Sequence, residues 1–477
     1  MLCLRSMRLS LARPGLRVVS LFLATALLAV VAIINGGAIY YADSAAYLLD
    51  AERMSHFEAP YAVRPVFYGL ALWPFHWGTF FSPALFMQSL VVAHIIYLTT
   101  RVCGCDLRRR GFLWLVGGLV LFTPISFHVS HLLPDIFVGV LILALFLLGF
   151  CKASLRPVEF WYVLLLATAA ATFHVTALAV GLALFATSVA VALIPRWRRR
   201  VSPLAVLAPV LLATGISLAF SVLVFEKLTL TPKNPPHVLA RILADGPGRE
   251  FLRATCPDAG FALCAYQDRL TGVEDDFLWR LLPSIPPEDG RRIKAEQGAV
   301  VWGTVRILPV QVVEGMLRNT FRQLVTFDSE TQISPAEWQE FQETDTPFAR
   351  SLRHTGQSVR MFDGPAIHVF NDLHALVAAI GLIASFVVTV MTVRARLFRP
   401  VALAATVFAG LIANAFACGA FGGVFPRYEG RVIWLIPLVA AVSALALMRV
   451  RVFAQRRRLG APIRLPASDR RAALLPR

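Results

Sequence analysis

Two carboxylates and two arginines lie next to the boundaries of long apolar stretches of the chain. Asp43 follows such a stretch, whereas Asp135, Arg427 and Arg431 stand where one begins. Asp43 follows the first apolar run by two residues, on the side of the membrane that carries few basic residues. An ionisable side chain at the rim of a membrane bundle faces either a reaction site or water. A carboxylate there can accept the proton of an attacking hydroxyl group, which makes Asp43 our candidate general base. The alternative is that Asp43 or Ser44 caps a helix, a position that favours Asp and Ser.

The segment after Asp43 is expected to continue as an amphipathic helix. If this helix begins at Ser44, one of its faces could rest on the bilayer interface, and that face contains Tyr47, Leu48, Ala51 and Met54. Asp50 and Glu52 are more typical of solvated helix charges. The first loop, residues 42–79, also contains Arg64, a candidate for substrate binding.

A second polar group lies between the third and fourth apolar runs and contains His128, His131 and Asp135. These residues could ligate a metal, although Pro134 interrupts the helix that would align them, or they could mark the water interface. Asp135 begins an apolar run, where a charge facing lipid is costly, so we expect it to face substrate, with His131 as a further substrate contact. A divalent metal is possible, but we predict no metal and no other cofactor. His174 is more typical of a hydrogen-bonded loop histidine than of a catalytic one.

The segment 425–437 leads into the last apolar run and contains Arg427 and Arg431. Arginines four residues apart fall on one side of a helix, and their planar guanidinium groups suit bidentate contacts with phosphate oxygens. Glu429 could pair with either of them. The alternative is that Arg, Tyr and Trp anchor the end of a span at the membrane interface. Both arginines lie outside, against the usual bias, and this favours phosphate binding.

Membrane helices must position these residues, because the chain is strongly apolar. Its 477 residues are 57% apolar and 16% charged, unlike an average soluble protein. Runs of roughly 17 to 25 apolar residues, the length that crosses about 30 Å of hydrocarbon, recur along the chain. We predict an all-α polytopic membrane protein with about ten transmembrane helices, near residues 18–41, 80–100, 112–127, 135–151, 159–173, 175–195, 202–225, 373–393, 400–420 and 432–448.

Basic residues predict the orientation of these helices, since loops rich in Lys and Arg stay in the cytoplasm. Every second loop is basic, and these segments together hold 26 Lys and Arg against three acids, Asp106, Glu159 and Asp469. Both termini are therefore expected to be cytoplasmic. The formal charge of +17 is an orientation signal and gives no support for nucleic-acid binding. A cleaved signal peptide is the alternative at the N-terminus, but the first run is long and no Ala-x-Ala site closes it.

These charges divide the chain into four regions. Residues 1–225 are predicted to form the N-terminal transmembrane region, residues 372–448 the C-terminal one, and residues 449–477 a basic cytoplasmic tail. Residues 226–371 break the hydropathy pattern and are expected to form a mainly helical extracytoplasmic insert.

Two stretches of this insert, residues 288–306 and 309–327, carry apolar residues at helical spacing. The second is expected to pack on its own domain or to lie along the membrane surface. Cys256 and Cys264 could form a disulfide if the chain turns between them.

Sequence motifs for nucleotide-driven chemistry and common hydrolases are absent. The chain has no internal repeat, Walker loop, GxSxG, HExxH or Rossmann glycine pattern in a strand-turn-helix context. Nucleotide sugars do not reach the extracytoplasmic side, so a lipid-linked donor is the natural activated substrate there.

These features resemble the GT-C superfamily of integral-membrane glycosyltransferases, including its protein mannosyltransferase-like and aminoarabinose transferase-like groups. The likeness covers the whole topology: an acid after span one, a second acid at the outer end of spans three and four, a large outside domain, and Pro-Arg-Tyr-x-x-Arg opening the last span. It implies polyprenyl-phosphate-linked sugar donors and an inverting displacement on the outer face, with or without a metal. Many members pair acids in the first loop, whereas here Ser44 follows Asp43 and the next acid is Asp50.

Carried onto this chain, the resemblance makes Asp43 the candidate base and Asp135 a candidate second acid. It implies that Arg427 and Arg431 hold the lipid phosphate and that Tyr428 shapes the site. We expect Asp43, Asp135 and Arg431 to converge on one cavity.

The function expected from the resemblance is a glycosyltransferase of the bacterial inner membrane that moves a sugar from a polyprenyl-phosphate carrier. The acceptor would be an extracytoplasmic envelope glycan, lipid or protein. One alternative is a polymerase or ligase of lipid-linked saccharides, and another is a non-enzymatic transporter or assembly subunit. Transporters tend to bury charges near the midplane or to consist of two related halves, and the sequence gives little sign of either.

Overall fold

The computed structural model describes residues 14–76, 80–105, 107, 109–231, 235–329, 347–359, 361 and 364–458 of the chain. Within these residues the secondary structure is helical, apart from an isolated bridge between Ile39 and His131. The all-α prediction is confirmed for this part of the chain. Some charges used to predict orientation lie outside the described residues, namely Arg5, Arg8, Arg13, Asp106, Arg108 and those of the tail after residue 458.

The chain up to residue 225 folds into helices α1 to α11. Their bounds are Pro14–Leu28 (α1), Val30–Asn35 (α2), Ala42–Ser55 (α3), Phe67–Leu72 (α4), Ser82–Val102 (α5), Arg109–Phe122 (α6), Ile125–Ser130 (α7), Ile136–Phe150 (α8), Pro157–Phe173 (α9), Val175–Ala192 (α10) and Pro203–Phe225 (α11). Proline opens α9 and α11, where its missing N–H is not needed and its fixed φ suits the first helical position.

The rest of the chain forms helices α12 to α20. Their bounds are His237–Asp245 (α12), Pro247–Thr255 (α13), Pro287–Ile307 (α14), Pro309–Val325 (α15), Pro347–Arg353 (α16), Pro365–Arg394 (α17), Phe398–Gly419 (α18), Pro426–Ile433 (α19) and Leu435–Arg458 (α20). Shorter helical turns lie at Trp73–Phe75, Lys152–Ser154, Arg198–Arg200, Ala262–Arg269, Asp276–Leu281, Leu282–Ser284 and Gly356–Val359.

Helix α8 forms the centre of the bundle, and every one of its residues is buried. Its sequence is apolar on all sides, and such a helix is stable when other elements surround it. Helices α5, α9, α10, α11, α18 and α19 pack around it. A Cβ atom on Gly139 would lie 2.8 Å from the Trp434 ring, so the glycine permits the close approach of the last helices. Asp135, directly before α8, is thereby held in the interior.

Within the described residues, six helices are long and apolar enough to cross a membrane: α5, α10, α11, α17, α18 and the continuous segment Pro426–Val452. Helices α14 and α15 would add a seventh if this pair, bent by 105°, is counted as one. The predicted count of about ten is therefore not confirmed. The other four runs are also helical, but α6, α8 and α9 have 14, 15 and 17 residues, and Ala29 separates α1 from α2. A straight span needs about 20 residues.

Helix α3 begins at Ala42, two residues earlier than predicted, and packs against protein. Its inner face is buried and contains Tyr47, Leu48 and Ala51. A Cβ atom on Gly69 of α4 would lie 2.1 Å from the backbone oxygen of Tyr47, so only glycine permits this crossing. The prediction that this face rests on the bilayer interface is wrong, because α4 supplies an apolar partner that periodicity within α3 cannot reveal.

The insert has an apolar core of its own, built by α12 to α14 and the turns between them. This core includes Leu239, Leu243, Leu252, Phe277, Ile293 and Val300. Cys256 and Cys264 form a disulfide, as the sequence allows. Helix α15 joins the insert to the membrane helices by packing on α18, where a Cβ atom on Gly419 would lie 2.6 Å from the backbone oxygen of Asn319.

Residues 347–359 pack with the membrane helices, although the predicted boundary placed them in the insert. Ala349 and Leu352 are fully buried in the main apolar core. The Gln357 side chain accepts a hydrogen bond from the backbone N–H of Tyr40 at 2.9 Å and donates one to its carbonyl oxygen at 2.8 Å. This segment therefore fixes the chain just before α3.

Replacing Gly69 by alanine should destabilise the protein, because the new methyl group would meet a backbone oxygen that cannot rotate away. Overpacking of this kind costs about 1–3 kcal/mol or more. Gly118→Ala is the matched control, since no heavy atom lies within 4 Å of a Cβ atom there. The thermal unfolding midpoint of the purified protein in detergent should fall for Gly69→Ala and stay unchanged or rise for Gly118→Ala. An equal effect of both changes would contradict the close α3–α4 crossing.

Candidate functional site

Asp43 is bound by two arginines from distant parts of the chain. Arg64 donates from Nε and Nη2 to Oδ1 of Asp43 at 3.1 and 2.7 Å. Arg427 donates from Nη2 to Oδ2 of Asp43 at 2.9 Å. Two guanidinium groups around one carboxylate leave a positive charge in excess. The structure thus brings together the predicted base and two of the predicted substrate-binding residues.

Asp43 does not cap α3. The N-cap residue is Tyr41, and the Ser44 hydroxyl accepts a hydrogen bond from its backbone N–H at 3.0 Å. Asp43 lies in the first turn, where the helix dipole also favours a negative charge. Of the two residues considered as caps, Ser44 contributes to the helix start, whereas both carboxylate oxygens of Asp43 bind arginine.

Asp50 fixes the turn that presents Arg64. Its carboxylate accepts hydrogen bonds from the backbone N–H groups of Tyr61 at 2.6 Å and Ala62 at 3.0 Å. Ala62 has φ of +51°, a conformation that L-residues adopt only when their surroundings hold them in it. Asp50 is buried, so the prediction that it is a solvated helix charge is wrong. It positions Arg64 relative to Asp43.

Arg427 lies among aromatic rings and keeps unused hydrogen-bond donors. Its Cζ atom is 4.3 Å from the centre of the Tyr41 ring and 5.1 Å from that of Tyr428. Its Nε and Nη1 atoms are buried, and neither has a hydrogen-bond partner in the described part of the chain. An unsatisfied buried donor costs about 1–3 kcal/mol, and an anionic acceptor at Arg427 would relieve this cost.

Asp135 and Arg431 form a second, fully enclosed pair. Arg431 donates from Nη1 to Oδ1 of Asp135 at 2.6 Å, and its guanidinium group has 0% exposure. Its Nε and Nη2 atoms donate to Oδ1 of Asn414 at 3.2 and 2.8 Å, and Nη2 also donates to Oγ1 of Thr176 at 3.1 Å. Each nitrogen of Arg431 has a protein partner, unlike those of Arg427. The prediction that Arg431 contacts phosphate stays a prediction, and the geometry suits Arg427 better.

Tyr428 joins the two ion-pair groups. The Cζ atoms of Arg427 and Arg431 each lie 5.1 Å from the centre of its ring. The His174 ring lies 6.5 Å from the Tyr428 ring, and its Nδ1 accepts a hydrogen bond from the Thr176 backbone at 3.3 Å, at the start of α10. His174 is thus a hydrogen-bonded histidine, as predicted. Asp43, Asp135 and Arg431 belong to one continuous polar cluster.

His131 lies beside His128, with 5.6 Å between their ring centres, and both are buried. The His131 carbonyl oxygen accepts a hydrogen bond from Nε2 of Gln88 at 2.9 Å. Among the described residues, no group of three or more His, Cys, Asp or Glu side chains could hold a metal ion. His128, His131 and Asp135 therefore do not form the considered metal site, and the role of His131 in substrate binding stays a prediction.

A partly open cavity lies beside Arg64, and the empty space at it, including open solvent, is about 520 Å³. Its walls are mostly apolar and come from α4, α9, α10, α11 and the segment after α11, with Val66, Phe67, Leu178, Phe220 and Leu230 among them. Arg64 and His174 line it, and each belongs to the polar cluster. Asp43, Asp135 and Arg431 do not line it themselves, so they converge beside this cavity and not within it.

The pKa values of three groups in the first loop and the insert are shifted near Arg64 and Arg427. Burial would raise the pKa of Asp43, but the charges of Arg427 and Arg64 and their hydrogen bonds hold it below its usual value. Burial lowers the pKa of His237 to about 4, so His237 is neutral at pH 7. Burial and the charge of Glu274 raise the pKa of Asp275, which the charge of Arg427 opposes.

Several residues of the site escaped prediction from sequence. Asn414 could have been found, because an amide inside the apolar span α18 is a functional-site candidate by default. Tyr41 precedes Asp43 by two residues, but its stacking on Arg427 has no local signal. His237 and Asp275 reach the site only because the insert folds back over the first loop and α19.

The chain has no match among protein-family models, curated proteins or solved structures. The resemblance to the GT-C superfamily therefore stays a prediction that depends on the residues described above.

Arg431→Met should destabilise the protein by about 3–5 kcal/mol, because it leaves Asp135 buried without its partner. Adding Asp135→Asn to that variant should recover part of the loss, since the uncompensated charge is then removed. Arg280→Met is the control, because Arg280 is 83% exposed and its pair with Asp276 is worth at most about 1 kcal/mol. Thermal unfolding in detergent measures all four proteins. Absence of recovery in the double variant would refute the coupling.

Proposed function

We propose that the chain is a membrane glycosyltransferase that moves a sugar from a polyprenyl-phosphate donor to an extracytoplasmic glycan, lipid or protein. The observation that carries this proposal is Arg427, whose guanidinium group binds Asp43 and keeps two buried N–H donor atoms without a partner. A phosphate oxygen is an acceptor of the strength and charge that such donors require.

The donor phosphate would lie between Arg427 and Arg64. The positive charge left over around Asp43 offsets the negative charge of a phosphodiester, and the arginines come from separate elements that can clamp it. The apolar cavity beside Arg64 suits the first isoprenoid units of the carrier. Arg64 would thus contact the phosphate of a lipid-linked donor and also line the cavity for its apolar chain.

Asp43 would take the proton of the acceptor hydroxyl group. The acceptor oxygen forms a bond to the anomeric carbon as the bond from that carbon to the phosphate oxygen breaks, and the phosphate leaves with the electron pair. Both arginines lower the pKa of Asp43 and make it a weak base. The negative charge of a phosphate bound at the spare donors of Arg427 would offset the guanidinium charge and raise the pKa of Asp43, so base activation depends on donor binding.

Asp135 and Arg431 fit positioning better than direct chemistry. Their pair is enclosed, and it fixes α19 against α8, which sets the location of Arg427. We therefore assign the direct contacts to Asp43, Arg427 and Arg64, and we place Tyr428 as the ring that holds both arginines in position.

The cellular location proposed for this activity is the bacterial inner membrane, with both termini in the cytoplasm. Six apolar helices support a multi-pass membrane protein, and the distribution of basic residues supports this orientation. Asp43 and Arg427 would then face the extracytoplasmic side, where lipid-linked sugars replace nucleotide sugars as donors.

Two other functions remain as alternatives. A polymerase or ligase of lipid-linked saccharides would use the same phosphate contacts, and the size of the product on a gel distinguishes it. A transporter or assembly subunit is favoured by Glu429, which is fully buried in α19 and accepts a hydrogen bond from Asn414 at 3.0 Å. Such a protein would form no glycosylated product from any donor.

Asp43→Asn should abolish sugar transfer while the protein remains folded, because the amide cannot accept the proton. Membranes containing wild-type or variant protein are incubated with a panel of labelled polyprenyl-phosphate sugars, and the labelled product is counted. Asp258→Asn, a change of the same kind at an exposed position, should have wild-type activity. Full activity of Asp43→Asn would refute its role as the base.

Arg427→Lys should weaken donor use by about tenfold or more, because a planar fork becomes a point charge and each 1.4 kcal/mol of lost binding is a factor of ten. Donor concentration dependence in the same assay measures this. Arg292→Lys, at a half-exposed surface position, is the control and should match wild type. Unchanged donor dependence in Arg427→Lys would remove the phosphate from this site.

A further inference from the structure

Helix α15 buries a largely polar face and exposes a row of apolar residues, beside which Gln311, Glu314, Arg318 and Arg322 are also exposed. Five residues at helical spacing, which we call the apolar stripe, are exposed: Val310, Val313, Leu317, Phe321 and Val325. Four of them have between 61% and 78% of their surface exposed. A helix on the surface of a water-soluble domain has the reverse arrangement. An exposed apolar surface of this extent indicates an interaction site.

The buried face of α15 is polar because it makes specific hydrogen bonds. Nδ2 of Asn319 donates to both carboxylate oxygens of Asp245 at 2.9 Å. The Gln323 side chain accepts a hydrogen bond from the backbone N–H of Phe425 at 3.0 Å and donates one to its carbonyl oxygen at 2.9 Å. These bonds fix the rotation of α15 about its axis. The outward direction of the stripe is therefore specified and not incidental.

The stripe continues the apolar surface of a candidate membrane span. Ile412 and Phe416 of α18 are exposed and lie on the same face of that helix as Gly419. Gly419 is the residue on which Asn319 of α15 rests. Moving along α18 toward its end, the exposed apolar surface thus passes onto α15. Lipid that covers the exposed apolar surface of α18 can therefore also cover the apolar stripe of α15.

The residues that border the stripe suit lipid headgroups. Arg318 and Arg322 are exposed and follow Leu317 and Phe321 directly, so they flank the stripe on one side. Long basic side chains can keep their charge at the headgroups while their stems stay in apolar surroundings. Trp302 is exposed near the bend that precedes α15. The Cζ atom of Arg306 lies over its ring, 5.2 Å from the ring centre. Tryptophan is enriched at membrane–water interfaces.

We propose that α15 lies in the membrane–water interface with its apolar stripe among the lipid acyl chains. The 105° bend between α14 and α15 then marks the place where the insert leaves the membrane surface. Through Gln323 and Phe425, the lipid-seated helix holds the segment that opens α19. This proposal is independent of the catalytic role given to Asp43, because it concerns only what covers the stripe.

Site-directed spin labelling of the full-length protein in lipid nanodiscs tests this placement. Leu317→Cys and, as a second position, Phe321→Cys carry the label on the stripe, and Glu288→Cys carries it at an exposed position at the start of α14. Wild-type protein taken through the same labelling gives the background from native cysteines. Collision of the label with molecular oxygen reports acyl chains, and collision with a water-soluble nickel chelate reports solvent.

The ratio of oxygen to nickel collisions should be severalfold higher at both stripe positions than at Glu288→Cys. A stripe position with the nickel accessibility of Glu288→Cys would show that the stripe faces water and would overturn the proposal. Exclusion of both reagents would show that protein covers the stripe, either a second copy of this chain or another partner, and would overturn it as well.

Discussion

A charged group in apolar surroundings must have a partner, and this requirement organises the interior of the protein. Asp43 lies in the first turn of α3 and Asp135 directly before α8, in a bundle whose helices are almost wholly apolar. Asp43 is paired with Arg64 and Arg427, and Asp135 with Arg431. Because the last two arginines occupy one short helix, α19, a single element neutralises both acids. The positions of α3, α8 and α19 relative to one another follow from this arrangement.

The two pairs nevertheless differ in what they leave open. Every side-chain nitrogen of Arg431 donates a hydrogen bond to a protein atom, so Arg431 stabilises the packing of α19 on α8. Arg427 has aromatic rings around its guanidinium group and donors to spare. The hydrogen-bond donors of Arg431 are all satisfied within the protein, whereas two donor atoms of Arg427 still need an acceptor. This contrast between neighbouring arginines on one helix is the physical basis for placing the substrate at Arg427.

The sequence predicts the helical class and the cluster of charges better than the path of the chain between them. Apolar length located the helices. The resemblance assigned Asp43 and Arg427 to one site, but no sequence argument predicted the ion pair between them. Hydropathy predicted the bounds of α8 within one residue, but it could not predict that Ala29 separates two helices within the first apolar run. The burial of α3 and the return of residues 347–359 to the main core are tertiary effects with no local pattern.

Asn414 and Gln323 illustrate the same limit on a finer scale. Each is a single amide whose partners lie in another element, and each would be replaceable in an isolated helix. Asn414 stands between Glu429 and Arg431, and its one side chain donates to the first and accepts from the second. Sequence patterns identify such residues as polar positions in apolar stretches, but they do not identify the groups to which these side chains form hydrogen bonds.

The separation of Asp135 from Arg431 by 296 residues has a consequence for biosynthesis. At about 5–20 residues per second, roughly 15 to 60 s pass between the synthesis of the acid and that of its partner. Asp43 gains Arg64 only 21 residues later, whereas Asp135 has no such early partner among its described ion pairs. The nascent N-terminal helices must therefore keep Asp135 in contact with water, or uncharged, until the final helices arrive. Closure of the bundle around α8 is thus a late event that must wait for the synthesis of α19.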